Sequence, residues 1–170
     1  MSADLREMGR TAVTVVSSGA KSILDLQATR EVLETEGVTV LGWQTDELPA
    51  FYYRTSGLFV DQRVERAEDA AAIIHARRGL GYESATLVAV PIPEAAALDP
   101  TATESAMAQA LREVEEKGIS GADSTPYLLQ RLVALTDGAT LDANIALLQN
   151  NAAVAAQIAT AQTVFQPMSA

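Results

Sequence analysis

The chain has 170 residues, a formal net charge of −10, 48% hydrophobic residues and no cysteine. That length and hydrophobic share suit one globular domain and exclude a disordered chain. The acidic balance repels phosphate backbones and disfavours a nucleic-acid partner, and the lack of thiols excludes disulfides and thiolate metal sites.

No charged-then-apolar leader opens the sequence and no apolar run nears ~18 residues, so no secretion or membrane span is expected and the setting is read as cytoplasmic. Ser2-Ala3-Asp4-Leu5 predicts a short capped helix running to about Arg10. Ala12 to Val16 is an apolar, β-branched run that reads as a strand, followed by a turn at Gly19. A helix is expected from Ile23 to Glu36, closed by Gly37, and Val38 to Trp43 reads as the next buried strand. Together these form a βαβ unit, with the second strand parallel to the first.

The stretch QTDELPAFYYRTSGLFVDQRV reads as a loop with one short strand at Leu58 to Val60. RAEDAAAIIHARRGLG predicts a helix ended by glycine, and SATLVAVPIPE a strand stopped by Pro91 and Pro93. A helix from Thr101 to Lys117 and another across STPYLLQRLVALTDG follow, the latter with Pro126 at its first helical position. The last helix, Leu141 to about Ala161, puts Leu141, Ile145, Leu148, Ala152 and Ala159 on one face. Alternating strands and helices predict an α/β fold, a three-layer α/β/α sandwich with a mostly parallel or mixed sheet. With no repeat or linker, residues 1–170 read as a single domain, with a disordered tail at 164–170.

Only two lysines occur, Lys21 and Lys117. Lys21 lies in a Ser-Ser-Gly-Ala turn between the first strand and its helix, where backbone N–H groups favour anions. It has two readings: a solvated charge, or an amine nucleophile that forms an imine with a sugar carbonyl. The second requires a pKa lowered from about 10.4 by burial or a nearby cation. Asp4 also has two: a carboxylate brought back toward the strand's carboxyl end to hold a divalent cation, or an acid that complements a helix dipole. His75 reads as a surface residue, and the Tyr52-Tyr53 pair as packing ahead of two alternatives, lining the site or an oligomer contact.

The blocks SADLREMGRTAVTVVSSGAKSILDLQATREVLETEGVTVLGWQTDELPAFYYRTSG, VAVPIPE, STPYLLQRLVALTDG and LDANIALLQNNAAVAAQIA resemble the pseudouridine-5'-phosphate glycosidases of the indigoidine synthase A-like family. The G-A-K-S-I-L-D turn, the T-D-E-x-P-A-F loop and the A-N-I-A-L-x-x-N-N helix carry that resemblance, in order from Ser2 to about Ala159. It implies reversible cleavage of the C–C glycosidic bond of pseudouridine 5'-phosphate to uracil and ribose 5-phosphate. The implied route opens the ribose ring and holds its C1' on a lysine. On this resemblance Lys21 is the catalytic nucleophile, Asp4 the manganese ligand, and Asn144 and Ser2 contact substrate.

The resemblance covers the family's carboxyl-terminal half, so the expected fold is an incomplete version of the family's. The family's proton-donating glutamate, phosphate-binding lysine and glycine-rich segment fall outside it. Two further readings stay open: a truncated, inactive relative that acts as a binding or interaction protein, and a Schiff-base aldolase that also uses Lys21. An incomplete α/β/α architecture exposes apolar surface, so self-association (a trimer, by resemblance) or a separate amino-terminal half is expected.

Overall fold

A computed structural model describes residues 3–20, 25–121 and 124–165. Its strands are β1 (Thr14–Ser17), β2 (Thr39–Trp43), β3 (Gln62–Val64) and β4 (Thr86–Ala89), and they form one sheet in the order β1-β4-β2-β3. Every pairing is parallel, which narrows the expected parallel or mixed sheet. The helices are α1 (Asp4–Met8), α2 (Leu26–Thr35), α3 (Ala67–Gly79), α4 (Pro100–Glu116), α5 (Ser124–Leu135) and α6 (Ala139–Gln162).

The three-layer reading holds, and the strand sequences explain it. Leu87 and Ala89 of β4 pack with Leu5 of α1 and Leu33 of α2 on one face of the sheet. Val88 and Val90 pack with Ile74 of α3 and Val154 and Ile158 of α6 on the other. Successive strand residues point to opposite faces, so a strand covered on both sides must be apolar throughout. β4 meets that demand, with all four of its residues buried.

Local signals set the helix ends. The Asp25 carboxylate accepts from the Ala28 N–H at 2.9 Å to start α2, and Asp99 does the same for Ala102 at 2.8 Å to start α4, with Pro100 beside it. At the amino-terminal end of the sheet, Arg77 of α3 donates to Thr39 Oγ1, to Gly37 O at 3.3 Å and to Ser84 Oγ at 2.8 Å. One guanidinium thereby ties the starts of β2 and β4 together.

Several expectations need correction. The short strand expected at Leu58 to Val60 lies at Gln62–Val64 instead. Phe59 makes only an isolated antiparallel bridge with Glu47. The reason is register: Asp61 caps the edge by accepting from the Val40 N–H at 2.7 Å, so ladder pairing begins one residue later. Helix α4 starts at Pro100 and α6 runs from Ala139, because both first turns need only a preceding Asp or glycine. Within the expected tail, residues 164 and 165 belong to a short 3-10 turn, Thr163–Phe165, with the Phe165 ring stacked on His75 at 4.7 Å. His75 is exposed, as expected.

The apolar face expected on the last helix is turned to solvent: Leu141, Ile145 and Leu148 are 47%, 46% and 57% exposed. The buried stripe of α6 is Thr140, Ala143, Leu147, Asn151, Val154 and Ile158. Among the described residues no helix is long and apolar enough to cross a membrane.

Candidate active site

Four parallel strands place their carboxyl ends along one edge, where α/β sheets bind ligands. The chain leaves β1 at that edge through Ser18, Gly19 and Ala20, directly before Lys21. Lys21 itself lies outside the described residues, as does Ser2. What the structure does describe is how the turn leading to Lys21 is held.

Two elements grip it through three contacts. From α6, Oδ1 of Asn151 accepts the Ser18 hydroxyl at 3.1 Å, and both residues are buried. From the loop after β2, the Phe51 N–H donates to the Ser18 carbonyl at 2.9 Å. The same loop crowds Gly19, which has φ +83°; a Cβ there would stand 1.9 Å from the Pro49 carbonyl oxygen. Only glycine combines that dihedral with that approach. The T-D-E-x-P-A-F loop and the asparagine helix are therefore the physical supports of the lysine turn.

Helix α6 is anchored to the same edge a second time. Asn150 Nδ2 donates to the Pro91 carbonyl at 3.2 Å, beyond the end of β4. Pro91 and Pro93 end that strand, and the Arg54 guanidinium donates to the Ile92 carbonyl between them. Tyr52, 3% exposed, packs with Ile92, Ala143 and Leu147, and burial pushes its hydroxyl pKa up, with Tyr53 adding to the effect. This supports the packing role expected for Tyr52.

Asn144 is half-buried on α6, adjoining the buried Ala143 of that cluster and seven residues before Asn151. At 1.5 Å per residue the two lie about 10 Å apart along one helix face, both on the site's side. Asp4 is exposed at the start of α1. The Met8 carbonyl at the other end of that helix accepts from the Ala85 N–H, just before β4 begins. Five helical residues rise only about 6 Å, so α1 returns Asp4 at most part of the way to the carboxyl edge. Among the described residues no group of three or more His, Asp or Glu side chains converges on a metal position.

The sequence reading singled out the turn, the loop and the asparagine helix but not the contacts among them. A polar Asn151 between the apolar Leu147 and Val154 was the available signal for the Ser18 bond. Nothing in the residues flanking Pro49 announces its approach to Gly19.

The model of the family described as "Indigoidine synthase A like protein" matches residues 1–161. The chain is 52% identical over 161 residues to the pseudouridine-5'-phosphate glycosidase of Symbiobacterium thermophilum, covering 95% of this chain and 52% of that protein. It is 53% identical to the protein of the same name from Sorangium cellulosum, covering 96% of this chain and 51% of the relative. Among solved structures, the prealnumycin C-glycosynthase in complex with ribulose 5-phosphate superposes with a TM-score of 0.88 at 38% identity, over 97% of this chain and 54% of the other. An indigoidine synthase A-like protein from Thermotoga maritima gives a TM-score of 0.84 at 36% identity, over 98% and 54%. The chain thus spans about half the length of the curated relatives it matches. Matched over nearly its whole length and half identical to those relatives, it belongs to the indigoidine synthase A-like family.

Proposed function

We propose that this chain supplies the nucleophile-bearing half of a pseudouridine-5'-phosphate glycosidase. The observation that carries this reading is its 52% and 53% identity, over 95% and 96% of its length, to proteins of that name. The built turn before Lys21 supports it: a nucleophile must be held within fractions of an ångström of its target, and helix α6 and the loop after β2 fix the turn's base.

A C–C glycosidic bond has no heteroatom to protonate and expel, so the sugar must be made to release carbon. In the proposed step the neutral Lys21 amine adds to C1', and the ring oxygen departs with a proton. The nitrogen lone pair then forms the C1'=N bond while the C1'–C5 pair leaves on uracil and is protonated. Water hydrolyses the imine, freeing ribose 5-phosphate and the amine. Asn144 and Ser2 are assigned to orienting the substrate.

Manganese belongs to this reading through Asp4. A carboxylate oxygen suits a hard divalent cation, but Asp4 is one exposed ligand, and the remaining donors would be water or groups outside the described residues. When bound, such an ion supplies positive charge that favours a neutral amine nearby. A homotrimer and a cytoplasmic setting complete the proposal.

Incubation with pseudouridine 5'-phosphate and manganese tests it. Uracil release by the chain together with the complementary half of a relative, lost in Lys21→Ala, is the expected result; equal release with either form removes Lys21 from the mechanism. The second reading, an inactive relative that binds without turnover, is favoured by one observation, the half-length match. It predicts ribose 5-phosphate binding with no uracil under any condition.

A further inference from the structure

Side chains, not a ladder, hold the chain where it leaves β4. The pairing with β1 runs on to Val90, whose N–H donates to the Ser17 carbonyl at 2.8 Å. Pro91 and Pro93 follow, and neither has an N–H to carry the pairing further. Asn150 of α6 donates to the Pro91 carbonyl at 3.2 Å, and Arg54, from the loop after β2, donates to the Ile92 carbonyl. Two consecutive carbonyls are thus caught from two different elements, while the Ile92 side chain is fully buried.

The same two elements hold the turn beside it. Asn151, next to Asn150 on α6, bonds the Ser18 hydroxyl, and the Phe51 N–H, three residues before Arg54, bonds the Ser18 carbonyl. This makes a brace with four corners: α6 and the loop after β2 each bond both the turn that ends β1 and the segment that ends β4. β1 and β4 are neighbours in the sheet, so turn and segment lie side by side at its carboxyl edge. The Tyr52 carbonyl extends the loop's hold by accepting from the Leu98 N–H at 3.3 Å. Among the described residues Arg54 meets no carboxylate at ion-pair distance; its guanidinium holds a backbone carbonyl in a chain with 22 acidic residues. A hydrogen bond from a charged donor is stronger than a neutral one, which suits a corner that no ladder supports.

From this we infer that Arg54 and Asn150 are positioning residues for the reaction: by fixing the segment that ends β4, they fix its spacing from the Ser18–Gly19–Ala20 turn that leads to Lys21. The chemistry of this inference rests on the proposed function; its mechanics rest on the four bonds. Neither residue has to touch substrate. Releasing one corner lets the turn and the segment drift apart, and a displacement of about 1 Å costs up to about 100-fold in rate. Contacts that bind substrate elsewhere in the cleft are kept, so the loss falls on kcat and not on KM. Lysine at position 54 keeps a charged donor for the Ile92 carbonyl, whereas methionine keeps only bulk.

Two measurements on the same variants test it. The first is uracil release by the chain together with the complementary half of the Symbiobacterium relative. For Arg54→Met and for Asn150→Ala, kcat is expected to fall about 10–100-fold with KM within about threefold of the parent. Arg54→Lys is expected to recover most of that rate. Arg78→Met, at an exposed arginine in the last turn of α3, leaves kcat unchanged. The second is amide exchange in the chain alone. Exchange at Ser18–Ala20 is expected to quicken about tenfold in Arg54→Met and Asn150→Ala, while Thr39–Gly42 of β2 exchanges as in the parent. Unchanged exchange at the turn, an unchanged kcat, a loss carried by KM alone, or an Arg54→Lys variant no better than Arg54→Met overturns the inference. A parent pair that releases no uracil counts against the proposed function instead, and the exchange measurement then decides the brace by itself.

Discussion

The hydroxyl of Ser18 donates to Oδ1 of Asn151 at 3.1 Å, joining positions 133 residues apart. One partner sits three residues before Lys21 and the other in the buried stripe of α6. A buried, fully formed pair of this kind is expensive to halve, because the survivor keeps its desolvation cost without its bond. Ser18→Ala is expected to destabilise the fold by about 1–3 kcal/mol in a urea titration, and Ser18→Thr by less. Asn151→Asp, which keeps an acceptor for the hydroxyl, should retain more stability than Asn151→Leu.

Gly19→Ala tests the loop's side of the same support. The new Cβ meets the Pro49 carbonyl at 1.9 Å in a left-handed conformation, so either the turn or the loop after β2 must move. The expected outcome is a folded protein, by circular dichroism, whose Lys21 no longer forms a sugar adduct. Undiminished adduct formation would show that the turn tolerates displacement.

Arg77→Met separates stability from chemistry. It removes the donors to Gly37, Thr39 and Ser84 and the guanidinium placed 4.6 Å over the Tyr82 ring, all at the end of the sheet away from the site. A loss of about 1–3 kcal/mol in unfolding free energy is expected. Reactivity at Lys21, measured well below the midpoint of unfolding, should be unchanged.

The α4–α5 pair carries a pH-dependent contact. Arg131 donates to the Glu113 carboxylate at 2.7 Å, with Gln109 and Tyr127 also bonded to it, and the carboxyl pKa falls from 4.5 to about 2. The folded state therefore holds this proton less tightly than the unfolded chain. The contact's contribution is complete above the ordinary carboxylate value and is lost as pH falls toward about 2. Glu113 is solvent-accessible, so the effect is screened by salt. Glu113→Gln should flatten the melting-temperature profile over that window, and an unchanged profile would remove the pair as its source.

Much of the layered fold was legible because its signals are local. β-branched runs, Pro91 and Pro93 after a strand, and Gly37 after a helix each act within a few residues, whereas the caps Asp25 and Asp99 went unread. The misplaced third strand was not legible, because Gln62–Val64 pairs through register with β2 and not through its own apolarity. The orientation of α6 was hidden for a related reason. It has two apolar faces, Leu141, Ile145 and Leu148 on one and Leu147, Val154 and Ile158 on the other, and only the sheet decides which is buried. At the site, motif spacing singled out the turn, but Pro49 against Gly19 is a tertiary contact with no sequence mark.

The central claim is that Lys21 is the nucleophile of this turn, and the chain contains its own reference, since Lys117 is its only other lysine. Lys117 donates to the Tyr127 hydroxyl at 2.7 Å, which raises its pKa and keeps it protonated. Incubation with ribose 5-phosphate, borohydride reduction and peptide mass mapping compares the two directly. The account predicts one reduced sugar phosphate on the Lys21 peptide and none on the Lys117 peptide. Equal labelling of both lysines, or labelling of Lys117 alone, would contradict it.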